Sequence, residues 1–231
     1  DYQGDPAAVQ ATAEEIAYLC AAAGEYFATP VRVQDVVWSY SGVRPLVDDG
    51  ASAAQAATRD YVLALDVPEG GAPLLSVFGG KITTYRKLAE AALAKLSPFL
   101  PEAPAGWSSR APLPGGDFPV DGVSALGAEL RARYPFVAPE HMARLVRAYG
   151  TRAWDLLGDA TGPADLGRRF GADLTEAEVR YLMAEEWAQT AEDVLWRRSK
   201  LGLRLGKAEA DALGAWMAEA RDGVRARVVN G

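Results

Sequence analysis

A proline-rich stretch divides this chain. From Ser97 to Pro119 the sequence runs through SPFLPEAPAGW and then APLPGGDFP. Proline fixes φ and donates no backbone N–H, so neither a long helix nor a central strand passes through such a segment. Each side must build its own elements, and the two sides carry different hydrophobic periods.

On the N-terminal side, Asp5 and Pro6 offer a helix cap and a first-turn proline. Ala8, Val9, Ala13, Ile16, Ala17, Leu19 and Cys20 follow at roughly helical spacing. This predicts an amphipathic helix over residues 5–27 with Cys20 toward its buried side, as a small core residue. From Val31 to Phe78 the β-branched and aromatic residues gather in short runs, predicting strands near Val33–Tyr40, Tyr61–Asp66 and Leu74–Phe78. The turn cluster PEGGAP joins the last two as an antiparallel hairpin. Gly79 and Gly80 then lead into a helix from about Thr83 to Leu96, with Leu88, Ala91, Ala92 and Leu96 on one face.

Beyond the proline-rich stretch the pattern is helical. Asp121 can cap a helix to about Arg133, Pro139 opens one that ends before Gly150, and Thr151–Leu157 is a short one. Thr175 and Glu178 form a T-x-x-E capping box ahead of a helix carrying Val179, Leu182, Met183, Trp187, Val194 and Leu195 and ending in Arg197 and Arg198. A last helix runs from about Lys207 to Arg221. Trp187, Trp196 and Trp216 fall where a core would take them. The expected fold class is α+β, with an incomplete α/β portion of antiparallel strands and helices over 1–100, a proline-rich linker over 101–119, and an all-α domain over 120–231.

Composition narrows the chemistry. The 231 residues have 49% hydrophobic side chains and a formal net charge of -7, so the chain is expected to fold and not to bind nucleic acid. One histidine, His141, and one cysteine, Cys20, exclude a disulfide framework or a Cys/His metal cluster within these residues. No apolar run approaches the roughly 20 residues of a membrane span. The chain opens at Asp1 without an initiator Met, which suggests a piece of a longer protein.

Two features can carry chemistry. SVFGGK runs from an apolar strand into glycines and a lysine, yet it is no P-loop, because Leu75 stands where the first glycine is required and Ile82 follows Lys81. A G-x-G-x-x-G fingerprint is absent throughout. Paired glycines still allow close backbone approach to a flat ligand, and the helix start offers N–H groups to an anion. Lys81, Thr83 and Thr84 add a cation and hydroxyls there. The plainer reading is a strand-to-helix turn with Thr83 as its cap. The second feature is Arg44 in YSGVRPL and Arg59 in TRDY, whose guanidinium forks suit phosphate or carboxylate. Asp48, Asp49 and Asp60 are alternative ion-pair partners for them.

The succession VVWSYSGVRPL, QAATRDY and LLSVFGGKITTYRKLAEAAL resembles the C-terminal half of FAD-dependent glycerol-3-phosphate dehydrogenases and the related alpha-glycerophosphate oxidases. EEWAQTAEDVLWRRSKLGLRL is similar to that family's C-terminal helical domain. The resemblance runs from about Val36 to Leu205, and it departs from the family by truncation. The N-terminal FAD-binding region and the active-site histidine have no counterpart.

The resemblance implies that Arg59 grips the phosphate of sn-glycerol 3-phosphate. It also implies that Arg44 and Lys81 lie near the flavin and the reacting C2 hydroxyl, and that Gly79, Gly80, Ile82 and Thr83 pass under the flavin's pyrimidine edge. A helix start and a lysine there would stabilise the negative charge that a reduced flavin gathers at its N1/C2=O end. The complete enzyme is then expected to make dihydroxyacetone phosphate, to pass electrons from FAD to a quinone, and to sit on the inner face of the cytoplasmic membrane. An oxidase using oxygen and a non-enzymatic helical interaction module are the alternatives. Without its FAD-binding region the chain is expected to be inactive, to retain no FAD, and to self-associate through exposed strand edges.

Overall fold

A computed structural model of the protein describes residues 2–43, 60–101 and 106–229, the segment 222–229 by its backbone alone. The chain divides into two compact units, Asp1–Ala111 and Pro112–Gly231.

In the first unit the helix begins later than the sequence suggests. The Asp5 carboxylate accepts from the Ala7 N–H at 2.9 Å but caps only a 3-10 turn, Pro6–Ala8. The α-helix, α1, spans Ala13–Gly24 and starts at Thr12. There the Glu15 N–H donates to Thr12 Oγ1 at 3.2 Å and the Thr12 N–H donates to Glu15 Oε2 at 2.8 Å. This reciprocal pair satisfies two orphan donors where Asp5 satisfies one, so the later start wins. Cys20 is buried on α1, as expected.

The strand expected near Val33–Tyr40 does not form. Val33–Asp35 is a 3-10 turn, and the Arg32 N–H donates to Asp35 Oδ2 at 3.1 Å. Trp38 stacks on Tyr40 beyond it, with ring centroids 5.1 Å apart. β-Branched composition favours extended backbone, but a strand also needs a ladder partner, and none pairs here among the described residues.

The hairpin does form. β1 (Tyr61–Asp66) and β2 (Leu74–Gly79) pair antiparallel from Tyr61↔Gly79 to Asp66↔Leu74. The turn closes with the Gly71 N–H donating to Pro68 O at 3.0 Å. A 3-10 turn, Ile82–Thr84, leads into α2 (Tyr85–Leu96), which lies against β1.

The second unit has a continuous core from Leu126 to Met217. α3 spans Val123–Arg133, and Gly122, not Asp121, is its cap residue, its N–H donating to Pro119 O at 2.7 Å. α4 (Pro139–Tyr149) stops where expected, at Gly150 with φ +54. No side chain fits at Gly150, because a Cβ would lie 1.9 Å from the Gly115 carbonyl oxygen. A 3-10 turn and α5 (Ala153–Leu157) follow.

Two corrections concern what comes next. β3 (Arg169–Gly171) and β4 (Leu174–Thr175) form an antiparallel hairpin in the region expected to be all-α. Strands this short leave no readable period of two. Furthermore, the helix expected to run from Thr175 to Arg198 is broken. α6 ends at Glu185, Trp187 turns left-handed at φ +56, and a π-helix occupies Asp193–Arg198. Asp193 creates the second start, its carboxylate accepting from the Gln189 and Thr190 N–H groups at 3.0 Å each. The Arg198 guanidinium caps the end of α6 by donating to Glu186 O at 2.7 and 3.1 Å. α7 spans Lys207–Val229, longer than expected.

Candidate functional site

The β2–α2 junction holds most of the described candidate residues. Gly79 and Gly80 take φ +67 and +95, values that L side chains rarely adopt. A Cβ on Gly80 would come within 3.2 Å of Tyr61 Cβ and 3.3 Å of Leu88 Cδ1. Close packing of strand on helix therefore accounts for Gly80 without any ligand. Its absent side chain also leaves the backbone bare where the chain turns out of the sheet.

Lys81 opens the 3-10 turn. Its carbonyl accepts the Thr84 N–H at 3.0 Å and the Thr84 hydroxyl at 2.8 Å. Thr84 thus closes the turn, and Thr83, which the plainer reading made the cap, is exposed. No side chain caps this turn, so its first N–H groups are open to solvent or a ligand. Ile82 is 87% exposed beside it.

The neighbouring cations are engaged elsewhere. Arg86 Nη1 lies 2.8 Å from Glu90 Oε1 and Lys87 Nζ lies 3.1 Å from Glu90 Oε2. The Ser108 hydroxyl donates to Glu90 at 2.6 Å, and this bond, followed by the Lys87 contact, holds the Glu90 carboxyl below its usual range. The Lys81 ammonium, exposed, has no partner among the described residues. Arg44 and Arg59 lie outside the described residues, as do Asp48 and Asp49.

The second unit contains a buried ionic cluster that sequence reasoning missed. Glu178 was expected to reach back and complete a capping box. The Thr175 hydroxyl does accept the Glu178 N–H, at 3.5 Å. The Glu178 carboxylate, however, takes both Arg144 Nη1 and Nη2 at 2.6 Å, and the Tyr149 hydroxyl also donates to it at 2.6 Å. Arg144 Nε donates to Asp173 Oδ1 at 3.0 Å. Burial opposes the Arg144 charge, but Glu178 and Asp173 more than offset it and hold the guanidinium above its usual range. Burial first, then Glu178, pushes the Tyr149 hydroxyl up. The i, i+5 separation of Arg144 and Tyr149 gave no such signal, because the partner lies 34 residues from Arg144.

His141 adjoins this cluster. It is 8% exposed and its Nε2 has no partner. Burial, with the Arg144 charge as the next cause, lowers its pKa. A cleft of about 640 Å³ opens near the end of α4, lined by Phe118, Arg147, Arg152 and Tyr181 among others. Its arginines are held internally, Arg147 Nε on Ala143 O at 3.2 Å and Arg152 Nη1 on Asp155 at 2.9 Å.

The basic run after α6 is also internally bound. Arg197 pairs with Asp193 at 3.1 Å and Glu192 at 3.0 Å, Lys200 donates to Trp196 O, and Arg204 lies 3.7 Å from Asp173. Of the three tryptophans, Trp216 packs edge-on against Phe170 at 5.3 Å and Trp196 is half-buried, whereas Trp187 is 81% exposed. The left-handed break at Trp187 carries its side chain off the face that a continuous helix would have buried.

Residues 107–222 match the family model for the C-terminal domain of alpha-glycerophosphate oxidase. The chain is 48% identical over 217 residues to a glycerol-3-phosphate dehydrogenase of Pseudomonas aeruginosa, covering 94% of this chain and 42% of that one. It is 44% identical over 219 residues to the aerobic glycerol-3-phosphate dehydrogenase of Escherichia coli, covering 95% and 44%. It is 46% identical over 215 residues to the D-erythritol 1-phosphate dehydrogenase of Brucella abortus, covering 93% and 43%. The chain thus spans less than half the length of these relatives.

Proposed function

The chain belongs to the family of the alpha-glycerophosphate oxidase C-terminal domain, and on that premise we propose that it forms the C-terminal part of an FAD-dependent dehydrogenase that oxidises sn-glycerol 3-phosphate to dihydroxyacetone phosphate. The observation that carries this reading is one rung of the hairpin, Tyr61↔Gly79. Consecutive Cα atoms are about 3.8 Å apart. By chain length alone, Lys81, two residues after Gly79, is tethered within about 8 Å of that rung. Its long cationic side chain can reach a dianionic substrate bound at this end of the hairpin.

Each residue then has a role. The Arg59 fork holds the phosphate and fixes the orientation of C2. Arg44 and Lys81 stand near the C2 hydroxyl, where positive charge favours loss of its proton. FAD, when bound, supplies the acceptor for the C2 hydride. Gly79, Gly80, Ile82 and Thr83 would be the residues that hold its pyrimidine edge in this reading. The bare glycine backbone, the uncapped turn and the unpartnered Lys81 ammonium fit a flat ring that gathers negative charge.

In the same proposal residues 1–100 are the last part of the FAD- and substrate-binding region, 101–119 a linker and 120–231 the C-terminal helical domain. The dinucleotide clamp lies in a preceding portion of the protein, so the 231-residue chain alone is inactive and retains no FAD. Electrons pass to a quinone, and the complete enzyme is peripheral to the inner face of the cytoplasmic membrane. No helix among the described residues is long and apolar enough to cross a membrane. The 46% identity to a D-erythritol 1-phosphate dehydrogenase favours a second reading, in which the phosphate grip is kept and the polyol is longer.

The test is a chimera in which this chain replaces the matching part of the Pseudomonas aeruginosa enzyme. We expect dye-linked oxidation of sn-glycerol 3-phosphate. Loss of a charge-assisted contact in Arg59→Ala should lower kcat/KM about 10- to 100-fold, mainly through KM. An unchanged KM would reject the phosphate role. Faster turnover of D-erythritol 1-phosphate would select the second reading, and peroxide formation in air would indicate an oxidase.

A further inference from the structure

Helix α2 starts with cations where its dipole favours anions. Arg86 and Lys87 stand in its first turn, and no carboxylate does. By contrast, α1 opens with Glu14 and Glu15, α4 with Glu140, and α6 with Glu176 and Glu178. Positive side chains at a helix N-terminus oppose the macrodipole. Glu90, one turn further on, takes both of them, Arg86 Nη1 at 2.8 Å and Lys87 Nζ at 3.1 Å. A cation placed before its carboxylate at i, i+4 is also the less stabilising order on a helix. Helix stability therefore gives no reason for this arrangement.

Glu90 is moreover fixed from outside the helix. The Ser108 hydroxyl, 18 residues along the chain, donates to Glu90 Oε1 at 2.6 Å, and Arg86 Nη1 lies 3.5 Å from Ser108 Oγ. Both carboxylate oxygens are thus engaged, Oε1 by Arg86 and Ser108 and Oε2 by Lys87. The bond to Glu90 draws the Arg86 guanidinium one turn toward the C-terminal end of α2, away from the uncapped turn Ile82–Thr84. One 3-10 turn and two helical residues, roughly 9 Å of rise, separate Lys81 from Arg86. A guanidinium released by Glu90 can swing back toward the open N–H groups of that turn.

We infer that Glu90, fixed by Ser108, is a positioning residue of the proposed substrate site: it holds the Arg86 and Lys87 charges back along α2 and leaves Lys81 as the cation of the turn. The physical reason lies in the anions themselves. sn-Glycerol 3-phosphate and dihydroxyacetone phosphate carry the same phosphate, so extra cations at the turn bind substrate and product alike. Such uniform binding lowers KM without raising kcat, and it slows product release. This inference rests on the flavoenzyme reading for the identity of the anion.

The experiment uses the chimera in which this chain replaces the matching part of the Pseudomonas aeruginosa enzyme. Glu90→Gln keeps an acceptor for Ser108 and removes the charge. The KM for sn-glycerol 3-phosphate and the inhibition constant of inorganic phosphate should both fall about three- to tenfold, more at low salt than at high salt, and kcat should not rise. Adding Arg86→Gln and Lys87→Gln to that variant should restore both constants. Ser108→Ala should move them in the same direction by a smaller factor, and it decides the matter if Glu90→Gln fails to fold. The control Glu69→Gln removes an equal charge in the exposed turn between β1 and β2 and should behave as the wild type does. A folded Glu90→Gln chimera whose KM is unchanged or raised overturns the inference, as does an equal fall in KM in Glu69→Gln. Binding of inorganic phosphate to the 231-residue chain, followed by NMR, separates this inference from the flavoenzyme reading. A wild-type chimera that leaves sn-glycerol 3-phosphate unoxidised, together with tighter phosphate binding by the Glu90→Gln chain, upholds the role of Glu90 and removes that reading. An active chimera indifferent to Glu90→Gln does the reverse.

Discussion

The first unit has one helix, α1, with a complete reciprocal cap, and yet Tyr18 and Leu19 on that helix are 71% and 62% exposed. The second unit has a helix, α4, with no side-chain cap at all, and its Met142 and Leu145 are wholly buried. Among the described residues of the first unit Cys20 alone is buried, whereas the second holds a core from Leu126 to Met217. Caps and turns decide where an element starts. Stability comes from a second apolar layer, and the described residues of the first unit show little of one.

Separating the units should have the largest effect. Residues 112–231 alone should melt cooperatively, and residues 1–111 alone should show no cooperative transition by calorimetry. Next comes the ionic cluster. Glu178→Ala leaves the Arg144 charge buried without its bidentate partner and should lower stability in urea by about 3–5 kcal/mol. Leu182→Ala, at a position fully buried in α6, should cost about 2–5 kcal/mol, whereas Val62→Ala in the exposed hairpin face should stay within about 0.5 kcal/mol.

Smaller effects sharpen the contrast. Thr175→Ala removes the cap of α6 and should cost about 1 kcal/mol, while Thr12→Ala should leave the urea midpoint of the second unit unmoved. His141 adds a pH dependence of known sign. Its folded pKa lies below the unfolded one, so the unfolded chain takes up the proton first. Stability is complete above roughly pH 6.5 and falls as the pH drops, with a slope of at most about 1.4 kcal/mol per pH unit from this group. Urea melts at several pH values check this, and His141→Phe should flatten the slope in that window.

Much of the fold was legible in the sequence. The PEGGAP turn, Pro139 with Gly150, and the periodicity of α7 all gave elements where the structure has them, because local chemistry is strong at each. The misses differ in cause. At Val33–Tyr40 propensity favoured a strand that has no partner in the described chain. At Trp187 a helical period ran on across a break made by Asp193 and Arg198. Glu178 read as a local cap and is instead held by Arg144 and Tyr149 from another helix. The strand and Glu178 outcomes turn on partners distant in sequence, which neither period nor propensity encodes, whereas the Asp193 start is local, four and three residues from Gln189 and Thr190. At the candidate site, the glycine pair was readable as a turn, and its cause, the approach of Tyr61 and Leu88 to Gly80, was not.

Among the described residues the first unit's hairpin is thinly covered, whereas the second unit holds a continuous core. Amide hydrogen exchange on the 231-residue chain tests it most directly. Tyr61–Asp66 and Leu74–Gly79 should exchange with little protection, while α4 and α6 exchange only through global opening. Equal, high protection in the hairpin and in α4 would contradict the claim.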